Sequence, residues 1–522
     1  MSSLNTFLKK FTSRMQPVVF GGAAATVLIF VLAGSLFPKH VSDLFGQIQT
    51  FIINDFGWFY VLSASAILLF VIYLMIGPLS HIRLGGDGAR PDFNYFTWFT
   101  MLFSAGMGTG LVFWSVAEPL NHYHKPPLGE GESYAALREA FQFTFFHWGL
   151  HPWAIYALFG LGIAYYHFRI GLPLAPRSLF YPLFGDKIFG WLGHFIDILA
   201  TVGTLFGVAT SLGLGAMQIN SGLSILSQLN QSTGVQVIII ATITLVATIS
   251  VVLGLDKGIS RLSRFNVLLA FLLLVFVFVA GPSVYLLNTL VTGIGTYLQQ
   301  LPFSSFWVNM NSENTWQADW TLFYWAWWIS WSPFVGIFVA RISKGRTVRE
   351  FIMGVLFVPT LATFIWLSVF GGTALFYEIE EGVSLFNEIE GTPSIALHRL
   401  LQELPFSTIS LIFATLLITI FFITSSDSGS FVDDMVTSGG HPNPPVGQKV
   451  FWAVSEGAVA ATLLLSGGLD GLRSASLTSG LPMTILLLMS GAGLYKALSN
   501  DHKLPNVPKA REIKKKLTEK RK

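Results

Sequence analysis

Runs of about 20 apolar residues, the length a membrane helix needs, recur along nearly the whole chain. No other feature limits the fold as strongly. Hydrophobic residues make up 52% of the 522 and charged residues 11%, against about 25% charged in an average soluble protein. So few charges cannot cover a water-exposed surface. Backbone groups in hydrocarbon must find partners within their own segment, as they do in a helix, so the sequence predicts an all-α polytopic membrane protein.

Twelve spans are expected, near 17–37, 55–77, 95–117, 140–166, 191–225, 236–254, 263–286, 318–341, 350–376, 406–428, 449–467 and 479–497. Lys9, Lys10 and Arg14 precede the first, as in a signal peptide. Its apolar core exceeds the roughly 7 to 15 residues of such a segment, so an uncleaved helix is expected. Basic residues near span ends are retained on the cytoplasmic side. Loops after even-numbered spans carry thirteen Lys and Arg, among them Arg83, Arg90, Arg169, Arg341 and Lys344, against five after odd-numbered spans. Both termini are therefore expected in the cytoplasm. No loop is long enough to be a separate domain. The formal charge of +3 names no partner, and a chain without Cys has no disulfide, thiolate metal site or cysteine nucleophile.

Three segments depart from plain spanning helix. Residues 289–302 are too short and polar to span, and predict a helix along the outer interface. The span at 191–225 is too long for an upright crossing and predicts tilt or an unwound segment. The tail from Lys503 to Lys522 is strongly basic, either a solvated end or a site for anionic lipid headgroups.

The third span contains Ser104-Ala105-Gly106-Met107-Gly108-Thr109-Gly110. Glycines two apart cannot share one helical side, so the stretch reads as unwound backbone lining a cavity, with close helix packing as the alternative. The eighth span carries Trp325, Trp327, Trp328 and Trp331 within seven residues, and the fourth carries Trp148, Trp153 and Tyr156. Single Trp residues collect at membrane interfaces. Converging aromatic faces instead form a cage for a quaternary ammonium, at about 0.5 to 2 kcal/mol per face.

The tenth span ends in Phe421-Phe422-Ile423-Thr424-Ser425-Ser426-Asp427-Ser428. Such hydroxyls bond their own backbone or supply oxygen ligands to a hard cation such as sodium. Glu118, Asp197 and Asp427 are acids within or at the ends of spans, functional by default or else paired with Arg or capping a helix. His147 and His151, four apart, permit a metal pair for which no third ligand is evident. With no nucleophile or metal constellation, an enzyme is not expected.

Together Gly106 to Gly110, Phe146-His147-Trp148-Gly149-Leu150-His151-Pro152-Trp153, Trp325 to Phe334 followed by Ala340-Arg341-Ile342-Ser343-Lys344-Gly345-Arg346, and Thr424 to Ser428 resemble the betaine/choline/carnitine transporter family, over about residues 15 to 497. The resemblance implies a LeuT-type fold of two inverted five-helix repeats behind two extra N-terminal helices, assembled as a homotrimer. The division is a tail at 1–16, two peripheral helices at 17–94, a first repeat at 95–286, an interfacial helix and loop at 287–317, a second repeat at 318–497 and a basic tail at 498–522. Spans 3 and 8, which hold the helix-breaking residues, then open the two repeats.

By the same resemblance Trp148, Trp153, Tyr156 and Trp328 form the cation cage, with Trp327 and Trp331 along the cytoplasmic path. Ala105, Gly106, Met107 and Gly108 face the substrate carboxylate. Ser104, Met107, Phe421, Thr424 and Ser425 bind sodium. An additional sodium site would use Thr204 and Phe334, but Val208 stands where its second Thr belongs. Gly110 replaces the Asp of proton-coupled choline relatives, and Thr109 replaces an apolar residue, where its hydroxyl would alter substrate preference. The expected function is import of a small methylated zwitterion, glycine betaine first and dimethylsulfoniopropionate, choline or carnitine next, through the inner membrane with sodium as coupling ion. No cofactor and no nucleic-acid partner are expected.

Overall fold

The computed structural model describes residues 12, 14–106, 108–252, 256–310, 314–441 and 443–501. Met107 and the basic tail from Lys503 lie outside these. Among the described residues the fold is helical throughout, with one isolated bridge between Arg83 and Thr347. Nine continuous helices among them are long and apolar enough to cross a membrane.

Helix α1 (Pro17–Leu36) and α2 (Pro38–Ile76) meet at Phe37. The second span thus begins far earlier than expected, because nothing in 38–54 stops a helix that starts on Pro38. The third span is broken. Helix α3 (Tyr95–Gly106) stops, Gly108 is extended at φ −157° and ψ 174°, and α4 (Thr109–His124) restarts, the two axes bent by 65°. The alternating glycines predicted this interruption.

The fourth span, expected to be continuous, divides into α5 (Tyr134–Trp148) and α6 (Leu150–Ala164) at Gly149. Pro152 has no amide to offer Trp148 O, and the Thr363 hydroxyl donates to that carbonyl instead at 3.2 Å. The Leu150 amide donates to the Tyr297 hydroxyl at 3.1 Å. Side chains of two other helices thus offer partners to Trp148 O and the Leu150 amide at the break.

Helix α7 (Trp191–Ser227) runs unbroken for 37 residues, so the unwound segment considered there is absent. Helices α8 (Thr233–Val252), α9 (Asp256–Ala280) and α10 (Ser283–Phe306) follow, the last extending the expected 289–302 segment at both ends. Helix α11 (Phe323–Ile342), entered through a π-turn at Ala318–Leu322, continues through Pro333. The eighth span is therefore not broken as the third is. Pro333 deprives Ile329 O of its partner, and the Ser332 hydroxyl donates to that oxygen at 2.7 Å.

Helix α12 (Val348–Ile379) starts from a capping box of Thr347 and Glu350. Short turns lead to α13 (Ser407–Thr437) and α14 (Val446–Ser499). Within α14 the chain kinks at Gly468 (φ 57°, ψ −131°), so two helices meet there, between the expected eleventh and twelfth spans. Helices α7, α11, α13 and α14 pack together at the centre, with α6 against α11.

Candidate functional site

The two breaks lie beside one another and frame a small cavity of ≈ 30 Å³. Gly108, Gly110 and Leu111 of the α3–α4 break form one wall, Trp148, Pro152, Trp153 and Tyr156 around the α5–α6 break a second, and Trp327, Trp328 and Trp331 of α11 a third. Ser211 of α7 and Thr363 of α12 complete it. All six aromatic residues expected at the substrate site are thus on one cavity.

Their rings hold one another edge to face. Trp148 and Trp328 centroids are 4.9 Å apart at 68°, Trp153 and Tyr156 5.4 Å at 78°, and Tyr156 and Trp328 6.4 Å at 77°. Trp327 instead stacks on Trp328 at 4.6 Å and 15°. Hydrogen bonds fix the indoles from behind. Trp328 Nε1 donates to His147 O at 3.0 Å, a carbonyl near the α5–α6 break, and Trp327 Nε1 donates to Gly207 O at 3.2 Å. The Tyr156 hydroxyl is buried on this cavity without a hydrogen-bond partner among the described residues.

One fully buried carboxylate organises the far side of the cage. Glu118 of α4 accepts from Trp148 Nε1 at 2.8 Å and from the Tyr324 hydroxyl on Oε2, and faces His147 Nδ1 at 2.7 Å and His122 Nε2 at 3.2 Å on Oε1. His147 is thus joined to Glu118 and His122, not to His151, whose Nε2 lies 3.2 Å from the Ser305 hydroxyl. The ligand atoms of Glu118, His122 and His147 lie within 4.8 Å of one another, a set of metal-binding type. Each facing atom already has a hydrogen-bond partner within the cluster, which makes it a hydrogen-bond hub. Asp197, the second acid, pairs with Arg177 at 2.6 Å in the core.

A larger space of ≈ 820 Å³ adjoins the cage, and Gly108 and Trp331 belong to the walls of both. Ser104, Phe421, Thr424 and Ser425 line this vestibule together with Phe334. The Thr424 hydroxyl donates to Ile420 O at 2.9 Å and reaches Phe421 O at 3.2 Å, so two of the expected oxygen ligands are adjacent. Ala105 and Gly106 close α3 beside them. Thr204 is buried in α7 and is not part of the vestibule lining that holds Phe334. The Thr109 hydroxyl donates to Ser211 O at 3.2 Å, so it ties the restarted helix to α7, and Ser211 in turn lines the cavity. Asp427 lines a neighbouring space with Arg341 and Lys449.

Residues 18–503 match the family model described as BCCT, betaine/carnitine/choline family transporter. The chain belongs to this family. Relatives include a glycine betaine transporter of Acinetobacter baylyi, 44% identical over 94% of this chain and 74% of that one. The glycine betaine transporter OpuD of Bacillus subtilis is 43% identical over 95% and 96%. A glycine betaine/proline/choline/ectoine transporter of Vibrio parahaemolyticus is 45% identical over 92% and 87%. As a member of the BCCT family the protein is a multi-pass membrane transporter of betaine type and not an enzyme.

Sequence reasoning about this BCCT chain missed Ser211 and Thr363, each one of several hydroxyls in a long apolar helix, with no local signal to set it apart. It named Glu118 only as an acid near a span end. The spacing of His147-Trp148 gave no sign that both would meet that carboxylate, because the contact depends on how α4 and α5 pack.

Proposed function

We propose that the protein imports a small methylated zwitterion or quaternary ammonium compound, glycine betaine foremost, by sodium-coupled alternating access across the inner membrane in osmoprotection. The observation that carries this reading is the single cavity walled by Trp148, Trp153, Tyr156 and Trp328 beside a broken helix. Ring faces attract a desolvated cation at about 0.5 to 2 kcal/mol each. Amides freed by the break near Gly108 and the unpaired Tyr156 hydroxyl are donors for a carboxylate. Relatives at 43 to 45% identity carry glycine betaine in their names.

Sodium coupling is supported by the oxygen atoms of Phe421 and Thr424, adjacent to the substrate cavity on the vestibule wall. Arg264, among the basic residues expected on the cytoplasmic side, lines the vestibule, so the open vestibule fits an inward-facing state. We read the helices as twelve crossings in two inverted repeats with a homotrimeric assembly, anionic lipids meeting the basic tail. Uptake of labelled glycine betaine, dimethylsulfoniopropionate, choline and carnitine into proteoliposomes, with and without a sodium gradient, tests the proposal. Saturable sodium-stimulated glycine betaine uptake is expected. Equal uptake without sodium, accelerated by internal substrate, would replace it with exchange.

A further inference from the structure

Among the described residues the aromatic cavity has no charged side chain in its lining, yet one carboxylate stands directly behind it. We infer that Glu118 determines specificity: its negative charge, held against the outer edges of Trp148 and Tyr324, makes the cavity prefer a cationic headgroup over a neutral one of the same shape. The inference rests on the reading that this cavity takes the substrate.

Burial alone does not account for an acid here. An isolated carboxylate in the core is strongly unfavourable, and hydrogen bonds only offset that. A glutamine would accept from Trp148 and Tyr324 and donate to His147, whose proton would move to Nε2 beside Thr321. It could donate to His122 only if that ring buried an unpartnered Nδ1–H. Three of the four contacts thus need no anion.

The geometry also leaves the charge in place. His122 Nδ1 has no partner among the described residues, so a protonated ring would bury an unsatisfied N–H. His147 Nε2 lies 2.9 Å from the Thr321 hydroxyl, which can donate to it. Both rings fit the neutral tautomer that directs its proton at Glu118. Among the described residues no Lys or Arg pairs with Glu118. Arg473 lies over Trp114 and Phe323 at 5.7 and 5.5 Å and pairs with Asp470 at 3.7 Å.

Two effects then act on the cavity. An indole N–H bonded to an anion shifts electron density into its ring, and the Trp148 face becomes more attractive to a cation. Tyr324 does the same at one remove, since its ring stacks on Trp328 at 5.6 Å and 22°. The carboxylate also acts through space, in a region of low polarisability where charges are poorly screened.

The test compares glycine betaine with its carbon isostere 3,3-dimethylbutanoate, identical in shape but lacking the positive charge, by equilibrium binding to the full-length protein in detergent or nanodiscs. The native protein is expected to favour betaine strongly. Glu118→Gln is expected to reduce that preference about tenfold or more, almost wholly through weaker betaine binding, and Glu118→Asp to restore most of it. Tyr324→Phe, which removes a donor but not the charge, should keep the preference within about threefold and serves if Glu118→Gln does not fold. An equal loss for both ligands in Glu118→Gln, no loss for either, or a collapsed preference in Tyr324→Phe would overturn the inference. Native protein that binds neither betaine nor any quaternary ammonium would overturn the functional reading itself, and this inference with it.

Discussion

Gly110 and Trp327 are so close that no side chain fits between them. A Cβ on residue 110 would stand 2.4 Å from Trp327 Cη2 and 3.1 Å from Cζ2. Because Trp327 also stacks on Trp328, the absence of a side chain at 110 sets the position of two rings of the cage. Gly110→Ala is therefore expected to displace Trp327 at an overpacking cost of about 1 to 3 kcal/mol. If that cost falls on the bound state, substrate affinity drops roughly five- to 150-fold. Gly110→Asp should abolish binding and not install proton coupling, which uptake at several external pH values will read directly.

Trp328 contributes a face to the cage and a hydrogen bond to the backbone beside the α5–α6 break. Trp328→Leu is expected to cost about 0.5 to 2 kcal/mol, up to roughly thirtyfold in affinity. Calorimetric titration with glycine betaine measures it, and unchanged affinity would remove Trp328 from the site.

Thr424 and Ser425 are expected to serve the ion more than the packing, since both line the open vestibule. Replacing both by Ala should abolish sodium stimulation of uptake while the protein elutes as the native assembly. Sodium dependence of native shape in the double variant would exclude them as ligands.

Two ion pairs outside the spans should respond very differently to mutation. The Lys125 ammonium, hydrogen-bonded to Glu390, holds that exposed carboxyl below its usual range. A depressed carboxylate stabilises above its unfolded pKa, and the contribution is lost as pH falls through the folded value. For so exposed a pair, Lys125→Ala should leave the melting temperature unchanged at neutral pH. Arg169, by contrast, donates to both Asp501 oxygens at 2.6 Å and to Asp87 at 2.8 Å, and these acids hold its pKa above the ordinary value. Arg169→Gln should speed tryptic cleavage at Lys503, the first basic residue beyond that clamp, with wild-type kinetics counting against it.

What the sequence made legible was whatever repeats locally. Glycines at 106, 108 and 110 announced the α3–α4 break because no helix face can carry that spacing, and of the four Trp residues in about two turns, Trp327, Trp328 and Trp331 line the aromatic cavity. Gly149 passed unnoticed as a single glycine in an apolar run, and the α5–α6 break depends on Tyr297 and Thr363 from distant helices. Pro333 misled in the opposite sense, because the neighbouring Ser332 hydroxyl repairs what proline removes. The Glu118 hub collects partners from α4, α5 and α11, an arrangement that only packing creates.

The bridge between Arg83 and Thr347 belongs to a seam built mainly from main-chain hydrogen bonds. Leu84 N donates to Arg346 O at 2.8 Å, Gly345 N to Leu84 O at 2.7 Å, Val348 N to Ile82 O at 2.8 Å and Arg349 N to Ser80 O at 2.9 Å. These main-chain bonds tie the loop after α2 to the hairpin between α11 and α12. Alanine at 82, 84 or 348 keeps every amide of the seam, whereas Gly345, at φ 79° with a would-be Cβ 2.2 Å from Arg90 O, does not accept it. Proline at 84 or 348 removes a donor outright and would uncouple the outer helices from the hairpin, so at those positions the main chain and not the side chain carries the attachment.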